Sequence, residues 1–176
     1  MLSSFTLLLR ENYKSNSLGV GKRVAVVDSN QTIRRAKHND IDSLLGLLSV
    51  LFSIETDFTI DESKQRSGLE MMLDGQTNRC IMVAELNQKI VGMCTAQILV
   101  STAEGGIVAL IEDMVIGNNY RGQGIGRDLL ISIEGWAVEK GARRLQLLAD
   151  RNNTPALEFY AKMNWNNTQL ICLHKK

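Results

Sequence analysis

The segment Ile116–Gly126, with the sequence IGNNYRGQGIG, separates an apolar run typical of a β-strand from an amphipathic run typical of a helix. Its glycines, Gly122, Gly124 and Gly126, leave backbone N–H groups uncovered where that helix begins. A helix N-terminus presents unpaired donors and a partial positive charge, which together suit a phosphate. Arg121 adds a permanent cation beside the glycines. The segment therefore predicts a site for a diphosphate group.

Two other glycine-rich phosphate loops do not fit this segment. A P-loop requires a lysine directly after its last glycine, and Arg127 stands there instead. A dinucleotide-binding fingerprint requires the spacing Gly-x-Gly-x-x-Gly after the first strand of a βαβ unit, whereas the spacing here is Gly-x-Gly-x-Gly after several predicted strands. A tight turn without a ligand is the alternative, and the flanking strand and helix favour the phosphate site.

Composition limits the classes of protein to which the chain belongs. The 176 residues carry a formal net charge of +1, and 44% of them are hydrophobic, which is typical of one globular domain. The balanced charge argues against nucleic acid or an anionic membrane as a partner, and no apolar run is long enough to span a bilayer. Cys80, Cys94 and Cys172 are scattered, so we expect reduced core cysteines in a cytoplasmic protein. His38 and His174 have no suitably spaced partners, and no metal site is predicted.

Hydrophobic periodicity divides the chain into an N-terminal extension over residues 1–30, which we expect to be mobile, and one domain over residues 31–176. Within the domain the predicted order of elements is β-α-α-β-β-β-α-β-α-β. The last of these strands is predicted over residues 168–173. This order favours a mixed sheet with helices packed on it.

Two motifs in this order resemble those of a known family. The segment Arg121–Gly126, behind the strand Leu110–Ile116, resembles the coenzyme A signature of the GNAT superfamily of N-acetyltransferases. The stretch Asn153–Tyr160 is similar to the family's Asn-x-x-Ala-x-x-Phe-Tyr motif. The resemblance covers about residues 31–173. It implies an α+β fold with a central mixed, mostly antiparallel sheet, about four flanking helices, and two parallel strands that splay apart at the cofactor site.

The resemblance also implies acetyl-CoA as co-substrate. The backbone of Met114 and Ile116 would pair with the pantetheine arm, and the amides of the glycine-rich segment would hold the pyrophosphate. Asn153 would form a hydrogen bond near the arm, and a plain helix N-cap is its alternative role. The implied cofactor-binding residues are Met114, Val115, Ile116, Arg121, Gly122, Gln123, Gly124, Ile125, Gly126, Arg127 and Asn153.

Acetyl transfer to an amine requires a group that assists the departing thiolate. By resemblance Tyr160 stands beside the sulfur, and a tyrosine hydroxyl with an ordinary pKa of about 10 can donate a proton to a basic thiolate. The alternative is a core aromatic residue whose hydroxyl is otherwise satisfied.

The attacking amine must also lose a proton. Glu112 and Asp113 are adjacent on a predicted strand, so we expect their side chains on opposite faces and only one of them near the amine. Glu112 is placed like the glutamate of the polyamine acetyltransferases in the family, a proposed base that acts through water. We therefore predict Glu112 as the base, with a buried ion pair as its alternative role and a structural role for Asp113.

The acceptor is less well defined by the sequence. The resemblance implies that the pocket for it is formed by the first two helices and the loop between them. That region contains four acidic residues, Glu55, Asp57, Asp61 and Glu62. A negative wall suits a cationic amine such as a polyamine, an aminoglycoside or a lysine-like amino acid, and a solvated acidic loop is the equally weighted alternative.

The predicted function is therefore N-acetyl transfer from acetyl-CoA to a primary amine of a small molecule, with a catalytically silent CoA-binding module as the second hypothesis. Two departures from the family pattern are visible. Met163–Trp165 replaces the usual Gly-Phe, and about eleven residues follow Trp165. The sheet edge is then either completed by the partner in a homodimer or simply short.

Overall fold

The structure, a computed structural model, describes residues 31–55, 58–74, 77–173 and 175. The predicted N-terminal extension and the acidic residue Asp57 lie outside the described residues. The strands are β1 (Gln31–Arg35), β2 (Arg79–Leu86), β3 (Lys89–Ser101), β4 (Gly106–Ile116) and β5 (Arg144–Leu147). The helices are α1 (Ile41–Phe52), α2 (Glu62–Leu73), α3 (Ile125–Glu139) and α4 (Thr154–Lys162), with short 3-10 turns at His38–Asp40 and Asn118–Tyr120. The predicted α+β class is confirmed.

The described strands form one mixed sheet in the order β1-β2-β3-β4-β5. Strands β1 to β4 pair antiparallel, and β5 pairs parallel with β4. The last pair along β4 and β5 joins Ile111 to Leu147, whereas β4 continues to Ile116. The two parallel strands therefore separate after Ile111, as the resemblance implied.

Helices cover both faces of this sheet because apolar side chains project from each face. One buried cluster joins α1 and α2 to the sheet, and its buried sheet residues are Ile81, Val83, Met93 and Val115. The other cluster joins α3 to the opposite face. The α3 side chains in it are Ile125, Leu129, Leu130, Ile133, Trp136 and Ala137, which is the stripe that helical spacing predicts.

The strand predicted over residues 168–173 is wrong. The structure assigns no strand to this segment, and Leu170, Ile171 and Leu173 are exposed. Apolar and β-branched residues favour a strand only where a neighbouring edge completes the ladder of hydrogen bonds, and no described strand pairs with this segment. Cys172 is consequently exposed, whereas Cys80 and Cys94 are buried as expected.

Candidate functional site

The opening between β4 and β5 creates a free backbone edge. The N–H of Gly117 donates to the carbonyl of Val91 at 2.8 Å. Because backbone N–H and C=O groups point alternately to the two sides of a strand, those of Ile116 point away from β3. On that free side the Ile116 carbonyl accepts a hydrogen bond from Nε of Arg121 at 3.0 Å. Met114 lies two residues earlier on the same edge. The edge is suited to pair with an extended polar chain.

The glycine-rich loop after β4 forms a concave set of backbone N–H groups. Gly122 and Gly124 have φ angles of 75° and 86°, a left-handed conformation that side chains disfavour. Among the described residues the N–H groups from Gly122 to Gly126 donate no hydrogen bond, and the first bond of α3 runs from Asp128 to the Gly124 carbonyl. A Cβ atom added at Gly122 or Gly124 would meet only open space. These donors are therefore free and accessible to an anionic ligand.

The polar side chains of this loop are exposed and partly engaged. Arg121 is held by the Ile116 carbonyl, and the Gln123 amide donates to the Asn119 carbonyl at 3.2 Å. Arg127 is exposed on the first turn of α3. Ile125 and Val115 are buried in the core, so only their backbones can face a ligand.

Gly126 lies where α3 approaches the sheet and α4. A Cβ there would lie 3.5 Å from Met114 Cε and 3.7 Å from Phe159 Cζ. A Cβ at this position would therefore make ordinary van der Waals contacts with β4 and α4.

Asn153 caps α4 in the structure. Its side-chain oxygen accepts a hydrogen bond from the Ala156 N–H at 3.2 Å, which is the alternative role that the sequence left open. The side-chain nitrogen of Asn153 makes no hydrogen bond to the part of the chain that the structure describes. Capping therefore leaves this donor available to a ligand.

Tyr160 is half-buried on α4 between two other aromatic rings. Its ring centroid lies 5.3 Å from that of Phe159 and 6.3 Å from that of Trp165. Burial raises the pKa of Tyr160 well above its usual range, and the negative charge of Glu55 adds to the effect. The hydroxyl is consequently protonated at any physiological pH.

A β-bulge in β4 puts both acidic residues on one side of the sheet. Thr95 pairs with Glu112 and Met93 with Val115, so two residues of β4, Asp113 and Met114, lie opposite one residue of β3. Asp113 has a φ angle of 50°. The expectation that Glu112 and Asp113 point to opposite faces is wrong, because the bulge interrupts the alternation at this point. Both side chains line the same groove.

This groove lies between α1, α2 and the sheet and has a volume of about 420 Å³. The Oγ1 atom of Thr95 donates to Asp113 at 3.0 Å, and the Nε2 atom of Gln97 donates to Glu112 at 3.4 Å. Burial raises the pKa of Asp113 above its usual value, and the charge of Glu112 adds to the rise. The groove residues are Leu48, Phe52, Lys64, Gln65, Gly68, Leu69, Met71, Met72, Arg79, Thr95, Gln97, Glu112 and Asp113.

The acidic residues expected around the acceptor do not line this groove in the described part of the chain. Asp61 caps α2, accepting the Lys64 N–H, and Glu62 forms an ion pair with Arg66. Because these carboxylates serve the helix itself, α2 contributes Lys64 to the groove rather than a negative charge. Sequence reasoning missed Arg79, Thr95 and Gln97, whose shared face becomes visible only when the strand register is known.

No group of three His, Cys, Asp or Glu side chains that could hold a metal ion occurs among the described residues. No helix in the described ranges has the length and apolar character required to cross a bilayer.

Comparison with known proteins agrees with this geometry. The chain belongs to the acetyltransferase (GNAT) family, whose profile matches residues 48–165. An uncharacterized N-acetyltransferase of Methanocaldococcus jannaschii is 25% identical over 141 residues, 80% of this chain, and the matched region spans 62% of that relative.

Solved acetyltransferase structures have a fold similar to that of this chain. An aminoglycoside acetyltransferase from an uncultured soil metagenomic sample, in complex with sisomicin, superposes with a TM-score of 0.68 at 27% identity, covering 83% of this chain and 95% of that one. The aminoglycoside N-acetyltransferase AAC(6')-Iy, solved with CoA, has a TM-score of 0.73 at 17% identity, with coverage of 84% and 95%.

Proposed function

We propose that this protein transfers an acetyl group from acetyl-CoA to a primary amine of a small molecule by direct attack, with both substrates bound together. The main support for the proposal is that three features lie together at the end of β4. They are the free backbone edge beyond Ile111, the free N–H groups from Gly122 to Gly126, and the groove that contains Glu112. The CoA complex of a family structure and the aminoglycoside complex of another support the two substrate classes.

In this proposal the cofactor follows the free edge. The amides from Gly122 to Gly126 hold the pyrophosphate with Arg121 and Arg127, because a helix N-terminus and fixed cations both favour a phosphate. Met114 and Ile116 pair with the amide-rich arm through their backbones. The side-chain nitrogen of Asn153 donates to the same arm.

Acetyl-CoA supplies a thioester whose oxygen gains negative charge as the amine attacks. A backbone N–H on the separated part of β4 can stabilise that charge, since a fixed donor in a water-poor site costs no reorganisation. Glu112 removes the proton of the incoming ammonium group through a water molecule. Tyr160 is protonated and donates a hydrogen bond to the departing sulfur.

The test is acetyl-CoA turnover across an amine panel that includes polyamines, aminoglycosides and amino acids, measured as release of the thiol. Glu112→Gln is expected to lower kcat by about a hundredfold, mainly at lower pH where the amine is protonated, with unchanged CoA affinity. An unchanged pH profile in this variant would exclude Glu112 as the base. Tight CoA binding without thiol release on any amine would favour the alternative, a silent CoA-binding module.

A further inference from the structure

The charges that line the acceptor groove are of both signs. Glu112 and Asp113 stand on β4, whereas Arg79 stands at the start of β2 and Lys64 on α2. Lys64 is paired with Asp61 at 3.0 Å and is largely exposed, so its charge is already compensated. Arg79 forms no ion pair with any carboxylate in the described ranges. The groove therefore contains a cation that has no protein counter-ion there.

The guanidinium of Arg79 is fixed in place by the chain around it. Its NH1 atom donates to the carbonyl of Met71 in the last turn of α2 at 2.6 Å. A guanidinium has five N–H donors in a rigid plane, and this bond uses one of them. The remaining donors suit a carboxylate, which arginine can bind through two parallel hydrogen bonds.

Strand register sets the separation between this cation and the carboxylate at the reacting end. Arg79 pairs with Gln97, and Gln97 pairs with Leu110, which lies two residues before Glu112 on the same face. Neighbouring strands are about 4.8 Å apart and residues rise about 3.4 Å each along a strand, so the Cα atoms of Arg79 and Glu112 are about 10 Å apart across the sheet and about 7 Å along it, or about 12 Å in all. Gln97 lies between them and donates to Glu112.

We propose that the acceptor is a zwitterion of the diamino acid or short peptide kind, whose carboxylate binds Arg79 while its distal amine lies at Glu112. This inference rests on the proposed function, because it names the substrate of the same site. A polycation fits less well, since its second ammonium group would face Arg79 rather than a carboxylate. An amine without a carboxylate would leave Arg79 without a counter-ion.

The experiment compares acceptors that differ only in the carboxylate. L-ornithine, L-lysine and a dipeptide ending in lysine are each assayed against the corresponding carboxamide, with 1,5-diaminopentane as the form of lysine without a carboxylate. We expect kcat/KM to be higher for the carboxylates by about tenfold to a hundredfold, because a charge-assisted bidentate contact is lost in the amides. Arg79→Gln should abolish that preference and raise kcat/KM for 1,5-diaminopentane, because the repulsion between the guanidinium and the second ammonium group is removed.

Arg144→Gln is the matched control, because Arg144 also begins a strand but pairs with Glu104 outside the groove. It should keep the wild-type preference. The ratio of kcat/KM between each acid and its amide is measured within one variant. A general loss of folded protein in Arg79→Gln therefore lowers both values equally and leaves the ratio unchanged.

The outcomes separate this inference from the function on which it rests. Equal or faster acetylation of the amides and polyamines would overturn the zwitterion assignment and leave acetyl transfer standing. A carboxylate preference that survives in Arg79→Gln would overturn the role of Arg79. Absence of turnover on every amine, aminoglycosides included, would overturn the proposed function itself.

Discussion

Asp113 adopts a left-handed backbone conformation, with φ at 50°, in the middle of an 11-residue strand. A residue with a Cβ in this region costs about 1–3 kcal/mol and persists only where the surroundings enforce it. Here the bulge opposite Cys94 and the hydrogen bond from Thr95 hold it in place. The result is a second carboxyl group beside Glu112 in the groove.

The same residue makes stability depend on pH. The pKa of Asp113 is raised in the folded chain by burial and by Glu112, so the folded state binds its proton more tightly than the unfolded state. The free energy of unfolding should therefore fall as pH rises from the unfolded value of about 3.9 through the folded pKa. Asp113→Asn removes the charge and keeps an acceptor for Thr95. We expect it to be more stable than the wild type at neutral pH, with a smaller difference near pH 3.

Denaturant unfolding at several pH values measures this effect. Asp42→Asn provides the control for loss of a surface carboxylate, because the Asp42 side chain is 87% exposed. If the free energies of unfolding of Asp113→Asn and the wild type differ by the same amount at every pH, the Asp113 carboxyl group does not titrate as inferred.

The second prediction at the scale of residues concerns the hydroxyl group of Tyr160. Tyr160→Phe should lower kcat by about a hundredfold with little change in the KM for acetyl-CoA, because only the hydrogen bond to the sulfur is lost. Since the pKa of Tyr160 is raised by burial, we expect no decline in kcat from its ionisation up to about pH 10 in the wild type. Steady-state kinetics across pH tests both statements. Tyr120→Phe is the control, because it makes the same change on a ring that contacts Lys89, and it should retain kcat. An equal loss of kcat in the two variants would contradict the role of Tyr160.

At the scale of elements, the loop between β4 and α3 requires glycine where its backbone is left-handed. Gly124 combines a φ of 86° with open space above its Cα atom, whereas a Cβ at Gly126 would lie in ordinary contact with Met114 and Phe159. The left-handed conformation leaves the amides at the start of α3 uncovered.

We therefore expect Gly124→Val to reduce CoA affinity by at least about a hundredfold, because the side chain fills the space over the amides and strains the backbone. Isothermal titration with CoA measures the change. Gly105→Val is the control, since Gly105 has a similar φ of 56° and open surroundings but lies in the turn before β4, away from the free edge. It should lose stability without losing affinity. A folded Gly124→Val protein with normal affinity would exclude the loop as the phosphate site.

At the scale of the whole molecule, the sheet separates two buried clusters, and the candidate site lies at the end of β4. In the proposed complex the ligand contacts β4, α3 and α4, so binding and global stability should be linked. A ligand at about a hundred times its Kd adds about 2.7 kcal/mol to the free energy of unfolding. Cytoplasmic location, the single domain over residues 31–176 and a homodimer stay predictions.

Thermal unfolding with ligands tests this linkage. Saturating CoA should raise Tm by roughly 5–10 °C for a chain of this size, and pantetheine, which lacks the diphosphate, should raise it much less. Equal shifts from the two compounds would place the binding energy in the arm and not at the glycine-rich loop.

The sequence by itself determined the helices and the strands β1 to β5, because their signals are local. Helical spacing in α3, glycines after an apolar strand and an asparagine before α4 each act within a few residues. The predicted strand at 168–173 failed for the opposite reason, since a strand needs a neighbouring edge that no local pattern supplies.

Tertiary structure alone decided which charges share the groove. The bulge that turns Asp113 to the side of Glu112 depends on how β3 and β4 pair, and the position of Arg79 depends on three strands in register. Alternation along a strand is a local rule, but one inserted residue reverses it for every position beyond, and pairing fixes where that insertion falls. The composition of the acceptor site was therefore set by register, a property of the assembled sheet.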